Sequence, residues 1–273
     1  MNNGQNNNFP PYSGGPAPQQ QPPYGAPSDP YAAQRVAAGT WNRQAGPAAA
    51  RPLDAADQNR FITKVFGWMT MGLGLTAFVA WFTAHSEAMI NLIFGTPGLV
   101  MFLFIAQLGM VFGLSWGIRK LSVGVATGMF LLYSAMMGLT LASIFLVYTM
   151  GSIAATFAVT TGTFGFMFVW GWVTKKDLTK IGSIAFMALI GIILASFANF
   201  FLRSEGLYWI ITYAGVLIFV ALIAYDAQKL KQLNAYGDSG EVQQKNAILG
   251  ALTLYLDFIN LFIFLLRILG DRR

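Results

Sequence analysis

Downstream of Arg60 the apolar residues do not alternate with polar ones, and they do not gather into a stripe with a helical period. They run on, about 20 or more at a time, which is the length needed to cross the hydrocarbon core of a bilayer as a helix. Seven such runs occupy roughly 61–84, 97–118, 123–147, 152–173, 182–202, 207–229 and 247–268. The breaks between them are short and polar or glycine-rich: His85–Thr96, Arg119–Ser122, Tyr148–Gly151, Thr174–Ile181, Arg203–Gly206 and Lys231–Asn246. None can hold another domain. Lipid offers backbone groups no hydrogen bonds, so the runs predict an all-α membrane protein, a single bundle of seven transmembrane helices over 56–273.

The segment before the runs is different in kind. Ten of the 11 prolines fall between Pro10 and Pro52, among Asn, Gln, Gly and Tyr. Such sequence buries too little apolar surface to offset its chain entropy, so 1–55 is expected to be a disordered tail on the cytoplasmic side. A docking role for Pro22-Pro23-Tyr24 is the alternative to a solvated appendage, and deleting 1–55 distinguishes them. Met1–Asn8 has no basic stretch followed by an apolar core, so no cleaved signal is expected there.

Composition narrows the function. Of 273 residues, 55% are hydrophobic and 10% charged, against about 25% charged in a soluble domain. A nucleic-acid-binding domain and an ordinary cytosolic enzyme are excluded. The absence of cysteine removes disulfides, thiolate nucleophiles and Cys-ligated metals, and His85 is the only histidine. Gly113-Leu-Ser115-Trp-Gly117 fits the pattern of a hydrolase nucleophile elbow, but that elbow needs a strand-to-helix turn and a histidine partner. Here it lies in an apolar helix, and no enzymatic activity or cofactor is expected.

The net charge of +6 follows from membrane orientation. Thirteen basic residues fall on one side of the alternating loops: Arg35, Arg43, Arg51, Arg60, Lys64, Arg119, Lys120, Lys175, Lys176, Lys180, Lys229, Lys231 and Lys245. Four fall on the other: Arg203, Arg267, Arg272 and Arg273. The expectation is a multi-pass protein of the inner (cell) membrane with the N-terminus cytoplasmic and the C-terminus outside. Gly109, Gly113 and Gly117, then Gly124 and Gly128, recur every four residues. Such spacing predicts close helix packing within the chain, with a dimer seam as the alternative.

Nine of the 11 acidic residues lie in the tail, the loops or the C-terminus. The other two are Asp226, near the end of the sixth run, and Asp257, in the middle of the seventh. A charged residue at the bilayer centre costs about 2.5–3.5 kcal/mol on the insertion scale, so one that is kept usually has a use. The two runs form a hairpin that places both carboxyls at similar depths, able to face each other. Asp257, Asn260, Phe264 and Arg267 share one helix face, which should point into the bundle. Two close carboxylates in a poorly solvated site tend to share one proton. The shared proton would hold the helices together and its loss would separate them. An ionised pair also attracts a cation, but Ca²⁺ takes roughly six to eight oxygens, so binding at Asp226 and Asp257 should be weak and transient.

The stretch Ala251-Leu-Thr-Leu-Tyr-Leu-Asp257-Phe-Ile-Asn260-Leu-Phe-Ile-Phe-Leu-Leu-Arg267-Ile-Leu-Gly270 resembles the last helix of the Bax inhibitor-1/YccA (transmembrane Bax inhibitor motif) family. Tyr225-Asp226-Ala-Gln228 resembles that family's acidic motif in helix six, and Gly138-Leu-Thr-Leu141 is also similar to it. The resemblance covers about 56–273 and suggests a bacterial member. It implies seven helices with the last one central, wrapped by the other six. It also implies a pH-sensitive Ca²⁺ leak through a di-aspartyl sensor, which the matching positions put at Asp226 and Asp257, with Asn260 on the same face. A basic residue at the cytoplasmic end of helix two would pair with the sensor, and Arg119 takes that place, with Lys120 second. The expected partners are therefore the lipid bilayer and permeating calcium ions, with no nucleic acid. The competing reading is a non-channel interaction protein that modulates a membrane protease or a stress or cell-death pathway. A proton-coupled transporter would use the same aspartates, but no substrate-sized polar cluster accompanies them.

Overall fold

The computed structural model describes residues 55–118, 120–234 and 240–273. The tail expected over 1–55 lies outside them up to Asp54, and so does Arg119. The described chain forms eight helices: α1 (Ala55–Ala84), α2 (Glu87–Gly95), α3 (Leu99–Gly117), α4 (Val123–Val147), α5 (Met150–Val173), α6 (Thr179–Leu202), α7 (Glu205–Asn234) and α8 (Glu241–Leu269). All except α2 are long and apolar enough to cross a membrane. They are the seven predicted runs, lengthened at several ends. The additional helix α2 fills the first predicted loop. Ser86 starts it by accepting the Met89 N–H on its hydroxyl at 3.4 Å, which satisfies one of the donors a helix start leaves free.

The helices form a centre and a shell. α8 packs chiefly against α1, α4, α5 and α7. In a shell position α3 rests on α4, and α6 rests on α7. The last helix is thus central, as expected, but its main partners are four helices rather than six. α6 is the opposite case, with Phe186, Phe197, Phe200 and Phe201 exposed. So is Trp116 at the end of α3, with 82% of its surface accessible. Such a surface would aggregate in water, whereas lipid chains solvate it.

The closest approaches are made at particular glycines. A methyl placed on Gly138 would meet the Thr76 backbone carbonyl, and one on Gly72 would meet Phe130, so α1 and α4 close at two levels. The glycine repeat singled out in the sequence is not such a seam. A methyl on Gly109, Gly124 or Gly128 would have nothing within 4 Å, while one on Gly113 or Gly117 would make only ordinary contacts with Met129 and Leu121. The spacing is there, but these residues do not face a neighbouring backbone. Beside the Gly138 contact, Tyr255 of α8 is fully buried with its hydroxyl 2.6 Å from Thr76 Oγ1. Thr76 in turn donates to the Ser134 carbonyl at 2.8 Å, so the Tyr255 hydroxyl donates to Thr76. This chain ties α8, α1 and α4 together where a lone hydroxyl would be costly to bury.

The end of the bundle away from the lysines is closed by the last residues. Tyr148 and Arg272 form an isolated antiparallel bridge. The Thr149 N–H donates to the Asp271 carbonyl at 3.1 Å, and the Asp271 N–H donates to Ser152 Oγ at 2.8 Å.

Candidate functional site

Two glycine contacts fix the register of the α7–α8 hairpin. A side chain on Gly250 would strike Leu230, and one on Gly215 would strike the Phe264 ring. In that antiparallel register Asp257 stands opposite Leu222 and Ile223, about one turn, or roughly 5 Å, from Asp226. Helical side chains lean toward the N-terminus of their own helix. In an antiparallel pair the two lean in opposite directions, Asp226 away from the lysine-bearing end and Asp257 toward it. The offset closes, and the carboxyls come within hydrogen-bonding reach of each other.

Their surroundings differ. Asp257 is buried, and its Oδ2 has no partner among the described atoms. Asp226 is half-buried in the wall of a cavity of about 240 Å³, together with Ser115 of α3, Lys229 and Leu230 of α7, and Leu249, Gly250, Thr253 and Leu254 of α8. One carboxyl therefore borders open space at the lysine-bearing end, and the other sits behind it in the core. The Asp257 face meets α7 along its length: Phe264 packs on Phe219, and Arg267 lies 5.4 Å from the Tyr208 ring centroid. Asn260 is on this face, but its Nδ2 donates to the Leu256 carbonyl one turn back at 2.8 Å.

The sequence around Asp226 explains why α7 holds its place. The Ala224 backbone presses against Gly171 of α5 so closely that a Cβ there would overlap its carbonyl. The Tyr225 ring occupies the space that a side chain on Gly182 of α6 would need. Ala227 is fully buried. Gln228 spans the α5–α6 loop with both ends of its amide: Oε1 accepts from the Leu178 N–H at 2.9 Å, and Nε2 donates to the Lys176 carbonyl at 2.8 Å. The residues around the carboxyl thus lock α7 to α5 and α6, leaving the α8 side for the aspartates.

Of the positions singled out in the sequence, Asp226 and Asp257 are brought together, and Asn260 lies one turn away with its amide bonded to its own helix. Arg119 is outside the described residues, and Lys120 is exposed. The basic residue found beside Asp226 is Lys229, which also stands over the Tyr225 ring at 5.9 Å. The sequence counts Lys229 among the basic residues of the lysine-bearing side and gives the counter-charge role to Arg119 instead. The i+3 spacing of Lys229 from Asp226 was the available signal. Gln228, Gly171 and Gly182 were missed as positioning residues because their partners are far away in sequence. Among the described residues no three His, Asp or Glu side chains cluster as a metal site.

Comparison with known proteins agrees with this architecture. The family model described as "Inhibitor of apoptosis-promoting Bax1" matches residues 58–273. The chain is 56% identical over 215 residues to the "Inner membrane protein YbhL" of Escherichia coli (strain K12), covering 78% of this chain and 92% of that one. It is 46% identical over 217 residues to an uncharacterized protein of Borreliella burgdorferi, covering 79% and 94%. A Deinococcus radiodurans protein, also uncharacterized, is 42% identical over 217 residues, covering 79% and 93%. With the helical runs, the central last helix and the acidic motifs accounted for, these matches establish that the chain belongs to the Bax inhibitor-1 family of multi-pass membrane proteins.

Proposed function

We propose that the protein is a pH-sensitive calcium-leak protein of the inner membrane, gated by Asp226 and Asp257. The observation that carries this reading is the meeting of the two carboxyls, with Asp226 at the wall of a cavity and Asp257 behind it. A proton held between them satisfies the buried Asp257 oxygen and binds α7 to α8. Without it, two like charges face each other in a poorly solvated site and drive the helices apart. The same charges attract Ca²⁺ from the cavity. Two carboxylates are too few to hold the ion tightly, which suits passage better than storage. The inner-membrane assignment draws on the 56%-identical relative of that printed name.

The cytoplasmic N-terminus belongs to the same proposal and follows from the distribution of lysine and arginine. Arg119, and after it Lys120, is assigned as the counter-charge at the end of α3. Removing it should leave the carboxylates less compensated and raise the leak at neutral pH.

The test is Ca²⁺ entry into dye-loaded liposomes containing only the purified protein, across about pH 6 to 8. The expected result is protein-dependent flux that rises with pH as the shared proton is lost. No flux above protein-free liposomes would overturn the leak reading and favour the interaction protein.

A further inference from the structure

The basic residues at the end away from the lysines number only four, and three of them converge. Arg203 at the end of α6, Arg267 on α8 and Arg272 in the C-terminal segment line one pocket of about 570 Å³. Three separate segments supply the three guanidiniums. Glu205 is the one carboxylate in the lining, so the pocket keeps a positive excess. Among the described residues none of the three arginines is ion-paired.

Two of the arginines neighbour one aromatic ring, and the backbone of the third is pinned. Tyr208 lies under Arg267, and it also neighbours Arg272. Arg203 has φ 50°, the only positive φ on a non-glycine among the described residues. Glycine fills that left-handed position more cheaply. Asn199 fixes the turn, accepting the Arg203 N–H on its backbone carbonyl at 2.8 Å and the Ser204 N–H on its side chain at 2.9 Å. A strained arginine kept where glycine would relax the chain suggests a use for its side chain.

What adjoins the pocket indicates the ligand. Next to Arg203 on α6, Phe200, Phe201 and Leu202 are each nearly 70% exposed. Trp209 lies in the pocket wall, a residue type enriched at the membrane–water boundary. The arrangement is amphipathic on the scale of one lipid, with guanidiniums for a phosphate and an aromatic wall beside them for acyl chains.

We propose that this pocket binds the phosphate headgroup of an anionic phospholipid, whose chains lie along Phe200 and Phe201 of α6. The site is at the opposite end of the bundle from Asp226, and the inference does not depend on the leak reading.

The experiment uses the full chain, delipidated in neutral detergent and titrated with short-chain phosphatidylglycerol, with binding followed by native mass spectrometry. One phosphatidylglycerol per chain should be retained, and phosphatidylcholine should not. Arg203→Gln with Arg272→Gln should weaken retention at least about tenfold, because two of the three guanidiniums that engage the phosphate are lost. Lys175→Gln with Lys176→Gln, at the other end, should leave retention unchanged. Arg203→Gly separates binding from folding, because it relaxes the backbone. That variant should be at least as heat-stable as the wild type yet bind less lipid. Equal retention by the Arg203/Arg272 double variant, or by Arg203→Gly, would overturn the proposal. Displacement of the lipid by inorganic phosphate at equal concentration would also overturn it, in favour of a site for a free anion.

Discussion

Alanine placed at four glycines should give a graded series, because the new methyl meets a backbone, a ring, a flexible side chain or open space. At Gly171 it meets the main-chain carbonyl of Ala224. No rotamer change relieves that clash, so α5 and α7 must separate. Overpacking of this kind costs about 1–3 kcal/mol, and a backbone obstacle belongs at the upper end. Alanine returns about 1 kcal/mol through helix propensity, leaving a net loss of about 2 kcal/mol. At Gly162 on the same helix nothing lies within 4 Å, so only the gain remains. The two variants should therefore differ by about 3 kcal/mol, more than a hundredfold in the unfolding equilibrium. Gly182→Ala, against the Tyr225 ring, should fall between them. Gly250→Ala should be nearly neutral, because its obstacle is a terminal methyl of Leu230. Unfolding in mixed detergent micelles, followed by tryptophan fluorescence, measures the series. Gly171→Ala as stable as Gly162→Ala would refute the packing argument. Ala224 is two residues from Asp226, so Gly171→Ala should also weaken the contact with Asp257.

Gln228→Ala should cost about 1–3 kcal/mol and raise hydrogen exchange in Lys175–Leu178, since two backbone groups lose their partner. Tyr255→Phe and Thr76→Val should each cost about 1 kcal/mol, and the double variant less than the sum, because one hydrogen-bonded chain is broken in every case. Asp177 accepts the Thr179 N–H at 2.9 Å, and hydrogen bonding to Thr179 lowers its pKa. A depressed carboxyl contributes above its unfolded value of 3.8 and loses that contribution as pH falls through the lower folded value. This hydrogen bond should stay intact across about pH 6 to 8 and loosen only in strong acid. NMR titration of the Asp177 carboxyl checks this, and a midpoint above 3.8 contradicts it.

The legible part of the fold was the part that lipid dictates. All seven spans could be read because a bilayer demands apolar length, and most boundaries lie within a few residues. The differences arise where helices continue into water. Lys231–Asn246 reads as a loop because it is polar, yet α7 runs to Asn234 and α8 begins at Glu241. There the backbone bonds persist, and a Glu241–Lys245 ion pair at 2.8 Å supports the first turn of α8. That i, i+4 pair was visible in the sequence. So was Ser86-Glu87 as the start of α2, whose nine residues are too short to register as a span.

Spacing alone misjudged the glycines. Gly109 and Gly113 have the expected repeat, but the tight contacts are at Gly138, Gly171 and Gly182, where a neighbouring helix happens to face them. The carboxyls were legible because charge in an apolar run is conspicuous. The residues that hold them were not, because Gln228 finds its partners 50 and 52 residues away.

Replacing Asp257 by asparagine tests the gating claim most directly. It keeps the shape and hydrogen-bonding capacity of the side chain and removes one titratable group. In dye-loaded proteoliposomes across about pH 6 to 8, Asp257→Asn should pass less Ca²⁺ than the wild type, with a flattened pH profile. Asp226→Asn should match it, and the double variant should add little, since the two residues act as one unit. Wild-type flux with an unchanged pH profile in Asp257→Asn would contradict the account.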